Sequence, residues 1–62
     1  MTHTELNDLF TESKKRPADF IRWAAEQGAT IHASTISSQR AGRVGISEWA
    51  ALAYRAFFSL PG

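Results

Sequence analysis

The sequence predicts an α+β domain: two N-terminal helices, a short β-hairpin and a buried C-terminal helix, with an all-α arrangement as the alternative. Three observations predict it. Apolar residues recur at helical spacing before Gly28, β-branched residues cluster and alternate with polar ones after it, and the segment beyond Ser47 is apolar almost all round. The chain has 62 residues, of which 44% are hydrophobic and 11% aromatic. A chain of that size hides only about 60% of the surface its unfolded form exposes, so it holds one core and one domain. The apolar content is too high for a disordered chain.

Thr2 followed by Glu5 is a capping-box pattern, in which the hydroxyl accepts from a free amide and the carboxylate reaches back. Leu6, Leu9 and Phe10 then share a helical face, which predicts a first helix over residues 4–13. Lys14, Lys15 and Arg16 read as a break, because the residue before a proline is pushed out of the helical region. Pro17 suits the first position of a second helix over residues 17–27, and Asp19 suits its first turn. Phe20, Trp23 and Ala24 supply its apolar face, and Gly28 is its stop signal. Thr30, Ile31, Thr35 and Ile36 are β-branched, and residues 30–34 alternate, so this stretch reads as a strand. Residues 39–43 read as a basic, glycine-containing hairpin tip, and Val44, Gly45 and Ile46 as a short returning strand. Ser47 is an N-cap for the last helix, whose expected buried face is Trp49, Leu52, Ala53, Ala56, Phe57 and Leu60. Trp23, Trp49, Leu52 and Phe57 are the expected core.

Several classes of chemistry are missing. There is no cysteine, hence no disulfide framework, thiolate zinc site or thiol nucleophile. The longest apolar-rich stretch, residues 49–60, contains Arg55 and is too short to cross a bilayer. The first residues lack the basic start and apolar centre of a signal peptide, which predicts a soluble protein of the cytoplasm. His3 and His32 have no second histidine at ligand spacing, so no metal site is expected. Ser47, His32 and Glu48 have no spacing that supports a triad, and Gly42-Arg43-Val44-Gly45 lacks the Lys-Ser or Lys-Thr pair of a phosphate loop. The expectation is a non-enzymatic binding protein without cofactors.

Charge is segregated along the chain. Glu5, Asp8 and Glu12 are the only charges in the first thirteen residues; from Lys14 onward seven basic residues face three acidic ones. That asymmetry predicts a basic face turned toward an anionic partner. Lys14, Lys15 and Arg16 on one loop, and Arg40 and Arg43 on the hairpin tip, are its candidate contacts, with Arg22 on the second helix as a further one.

Three segments in order carry a resemblance. They are Leu6-Asn7-Asp8-Leu9-Phe10, Lys15-Arg16-Pro17-Ala18-Asp19-Phe20-Ile21-Arg22, and Gly42-Arg43-Val44-Gly45 followed by Trp49, Ala51-Leu52-Ala53-Tyr54 and Ser59-Leu60-Pro61. Together they resemble the KilA-N domain, a DNA-binding module of phages and large DNA viruses. The N-terminal strands usual in that family are missing. Ile46-Ser47-Glu48-Trp49 stands where the family usually has Thr-Trp-x-His. The chain is thus similar to a trimmed KilA-N core. The resemblance implies a phage or mobile-element protein that binds DNA through its basic loops. A trimmed scaffold also leaves an alternative, a small phage inhibitor of a host nucleic-acid defence complex of the anti-CRISPR type. It would act by protein contact or by occupying a DNA-binding site. The apolar last helix adds a third expectation, a homodimer through Tyr54 and Phe58.

Overall fold

A computed structural model describes residues 1–61 and consists of four helices: α1 (His3–Ser13), α2 (Pro17–Glu26), α3 (Ala33–Arg40) and α4 (Glu48–Phe58). No strand is present among the described residues. The fold is therefore all-α, and the expected β-hairpin is replaced by α3 and the loop that follows it.

The helix ends explain the boundaries. Thr2 caps α1, its Oγ1 accepting from the Glu5 amide at 3.1 Å. The helix stops at Lys14, which takes the left-handed conformation with φ 60°. Asp19 accepts from the backbone amide of Arg16 at 2.9 Å and so anchors the start of α2. At its far end Gly28 has φ 88°; its amide donates to Ala25 O, and that of Ala29 to Ala24 O. This paired pattern is a Schellman stop, which needs the left-handed residue that glycine provides. The same stop ends α3: Gly42 has φ 75°, with Gly42 N donating to Gln39 O and Arg43 N to Ser38 O. Residues 39–43, expected as a hairpin tip, are thus a helix terminus. Ser47 caps α4, its Oγ accepting from the Ala50 amide at 3.2 Å.

The β reading of residues 30–38 fails for a physical reason. A strand needs a partner for its amides and carbonyls, and Val44, Gly45 and Ile46 are too few to provide one. A helix over Ala33–Arg40 satisfies those groups internally and still buries Ile36 and Gln39 on one face. Extended backbone remains at His32, the N-cap of α3 (φ −93°, ψ 145°).

α1 and α2 each pack against both α3 and α4. Each helix contributes one of the four largest fully buried side chains: Leu6, Phe20, Ile36 and Tyr54. Phe20 stacks on Tyr54 with ring centroids 4.4 Å apart, and Phe10 meets Phe58 edge-to-face at 4.9 Å. The buried face of α4 is Ala50, Ala51, Tyr54 and Phe57. Trp49 and Leu52, expected in the core, are 61% and 65% exposed, and Trp23 is only partly buried; Phe57 is in the core as expected. A helix apolar on most sides does not reveal its inner face. The two alanines let α4 approach its neighbours closely, and Tyr54 follows them inward.

Tyr54 reaches through the core to donate its hydroxyl proton to Oε1 of the buried Gln39. Burial pushes its pKa up to about 12 from 10.0, with the Arg40 charge pulling the other way. Because the folded value is the higher one, the unfolded chain ionises first. Stability is then full below about pH 10 and falls through the window from about 10 to about 12, by roughly 2–3 kcal/mol. The chain has a single tyrosine, so tyrosinate absorbance against pH reads this group alone. We expect its midpoint to lie well above the free-tyrosine value and to coincide with loss of helical circular dichroism.

Candidate nucleic-acid interface

Six basic side chains are the contact candidates from sequence, and the fold gives them different occupations. Lys15 is committed to the scaffold. Its Nζ donates to the carbonyls of Phe57 and Leu60, both at 3.0 Å, and lies 4.8 Å from the Phe57 ring centroid. The Phe57 carbonyl is in the last turn of α4 and that of Leu60 just beyond its C-cap, where a cation offsets the negative end of the helix dipole. Lys15→Met is expected to cost about 1–2 kcal/mol through the lost charged hydrogen bonds. A thermal melt checks this, with Tm lowered by roughly 5–10 °C.

Arg40 is half-committed. Its Nε donates to Asn7 Oδ1 at 2.7 Å, and its backbone carbonyl accepts from Asn7 Nδ2 at 2.9 Å. The guanidinium carbon lies 4.8 Å from the centroid of the Phe10 ring. One asparagine on α1 therefore fixes the end of α3 through both ends of its amide. Lys14, Arg16, Arg22 and Arg43 are exposed.

The two basic segments do not meet as one loop cluster. Lys14, Lys15 and Arg16 follow the last turn of α1. Arg43 shares a surface recess with Met1, Thr2 and His3, at the first turn. The contact there is tight: a Cβ added to Gly42 would come within 3.0 Å of the His3 ring. The eleven residues of α1, about 16 Å of helix, separate Arg43 from Lys14, Lys15 and Arg16, while Arg40 lines a groove with Pro17. Of the two arginines expected on the hairpin tip, Arg40 is therefore the one on the side of the Lys14–Arg16 loop, and Arg43 lies at the other end of α1.

The structure assembles a different surface. A groove of about 510 Å³ runs between α1, the start of α2 and α3, lined by Asn7, Pro17, Ala33, Ser37, Arg40 and Ala41 among others. It brings the end of α3 beside the start of α2, where Arg16 precedes Pro17. Ala33, Ser34, Thr35 and Ser37 on α3, and Ala41 after it, are exposed and small. Charge is one-sided here: from residue 27 to residue 47 there is no Asp or Glu, and Arg40 and Arg43 are the only formal charges. Asp19 at the start of α2 offsets part of the positive potential of that helix end.

Sequence reasoning missed Asn7, Ser34, Ser37 and the helical state of α3. Two signals were available: the run without a carboxylate, and Gly42 at the distance from Ile36 and Gln39 that a helix stop requires. Tyr54, expected with Phe58 as a dimer anchor, is 1% exposed and carries no surface role; Phe58 is half-buried against Phe10 and Phe57. Among the described residues no three histidine, aspartate or glutamate side chains converge to hold a metal, and no helix is long and apolar enough to cross a membrane.

No family model matches the chain, and no curated protein or solved structure matches it.

Proposed function

We propose that this protein binds duplex nucleic acid, with α3 as the element that approaches a groove and the start of α2 as its phosphate contact. The observation that carries the reading is the exposed face of α3. It has small hydroxyl and methyl side chains, no carboxylate from residue 27 to residue 47, and Arg40 and Arg43 at its C-terminal end. Small side chains let a helix backbone come close to the base edges, and Ser and Thr hydroxyls donate or accept there. Two packed helices joined through a glycine turn, the second presented outward, is the general plan of helix-turn-helix readers. The connection here, residues 27–32, is longer than the three- or four-residue turn usual in that plan. In this reading Arg16 and Arg43 neutralise phosphates on either side of α3, and Arg40 lines the groove between them. Lys14 and Arg22 are peripheral, and Lys15 is structural. The KilA-N resemblance of residues 15–22, 42–45, Trp49 and 51–54 favours the same partner class, DNA.

The longest dimension of the molecule is 26 Å, so one copy spans about seven or eight base pairs at 3.4 Å each. A site that small permits about three phosphate contacts, for which affinity falls roughly 40-fold between about 50 and about 200 mM salt. Fluorescence anisotropy with a labelled duplex measures this. Absence of binding at the lower salt, or affinity indifferent to salt, removes the reading.

A further inference from the structure

One face of α4 has no partner within the chain. Glu48, Trp49, Leu52, Arg55 and Ala56 are all exposed and fall on a single helical stripe. Trp49 and Leu52 are the most exposed large apolar side chains of the protein. Glu48, Leu52 and Arg55 border one shallow recess together with Met1 and Ile46. The stripe therefore has an acid at its start, a base about two turns later and leucine near the midpoint.

We propose that this stripe is the contact face of a two-fold homodimer, in which α4 packs antiparallel against α4 of a second copy. The charge order selects that occupant. A two-fold axis near Leu52 sets Glu48 against Arg55 of the partner subunit and, by the same operation, Arg55 against Glu48 of the partner subunit. Leu52 then meets its own copy, and Trp49 covers the pair. A parallel arrangement sets like charge against like and leaves no such match. The contact has room to be stable: a standard interface buries about 800 Å² per partner, about a fifth of the 4202 Å² surface. The stripe is continuous with the half-buried apolar residues Met1 and Ile46 on one side and Trp23 and Ile31 on the other, which extend the available surface. This proposal does not rest on nucleic-acid binding, and Tyr54 takes no part in it.

Sedimentation equilibrium of the full chain tests it. The wild type is expected to run at twice the 6.9 kDa of one chain at about 100 μM or above. Leu52→Glu is expected to run as a monomer with unchanged helical circular dichroism, because its side chain is largely in solvent. Glu48→Arg alone and Arg55→Glu alone place like charges in both pairs, and each is expected to be monomeric. Mixing those two variants in equal amounts restores opposite charges at both contacts, and a dimer is expected to re-form. A monomeric wild type, a dimeric Leu52→Glu, or a mixture that stays monomeric overturns the proposal; the first of these outcomes leaves the stripe to a different partner.

Discussion

Tyr54→Ala is expected to leave the chain unfolded at about 25 °C. Truncating a fully buried aromatic costs about 3–5 kcal/mol in lost burial and cavity, and a domain of this length rarely has more than about 3–5 kcal/mol in total. Tyr54 is 1% exposed, stacks on Phe20 and lies edge-on to Phe10, so no smaller side chain refills its place. The loss also strands Gln39, whose buried oxygen accepts from the Tyr54 hydroxyl. Tyr54→Phe isolates that second effect: it keeps the ring and removes the donor, for about 1–3 kcal/mol, and should remain folded with a lowered Tm. Circular dichroism and a thermal melt of the two variants check both. A folded Tyr54→Ala means that α3 and α4 are held by something other than this pair.

Ser34→Glu combined with Ser37→Glu is expected to abolish duplex binding while leaving the fold intact. Both serines are exposed on α3, and Ser37 lines the groove beside Arg40. Neither is a packing residue, and glutamate has the better helix propensity. Two carboxylates on a face otherwise free of them repel phosphates and neutralise Arg40 one turn away. We expect affinity at least about 100-fold weaker, which is about 2.7 kcal/mol. Anisotropy reads the affinity, and a melt within about 3 °C of the wild type certifies the fold. Binding that survives the double change assigns the contact to another surface.

Helix starts and stops were the most legible part of the sequence. Thr2, Pro17 with Asp19, Gly28 and Ser47 each mark a boundary where the structure has one, because caps act locally. The state of residues 33–40 was not legible. Ile36 and Gln39 are its only buried residues, too few for a periodic signal, and the β-branched neighbours biased the reading toward a strand. What decided it was tertiary: both of those residues find partners in the core, and no second strand exists to pair with. The inner face of α4 was hidden for the opposite reason, since apolar residues surround that helix. The candidate site was legible in charge sign and illegible in arrangement. Composition shows that Lys15 and Arg40 are basic; only the fold shows that one caps α4 and the other is clamped by Asn7.

In the proposed binding mode α3 and the start of α2 form the face that meets a polyanion. Amide chemical shifts recorded during titration with a short duplex test it most directly. Shifts are expected to concentrate at Arg16 and Ala18, along residues 33–37, and at Arg40 and Arg43, with α4 little changed. Shifts centred on Trp49, Leu52 and Arg55 instead, or none at low salt, would contradict it.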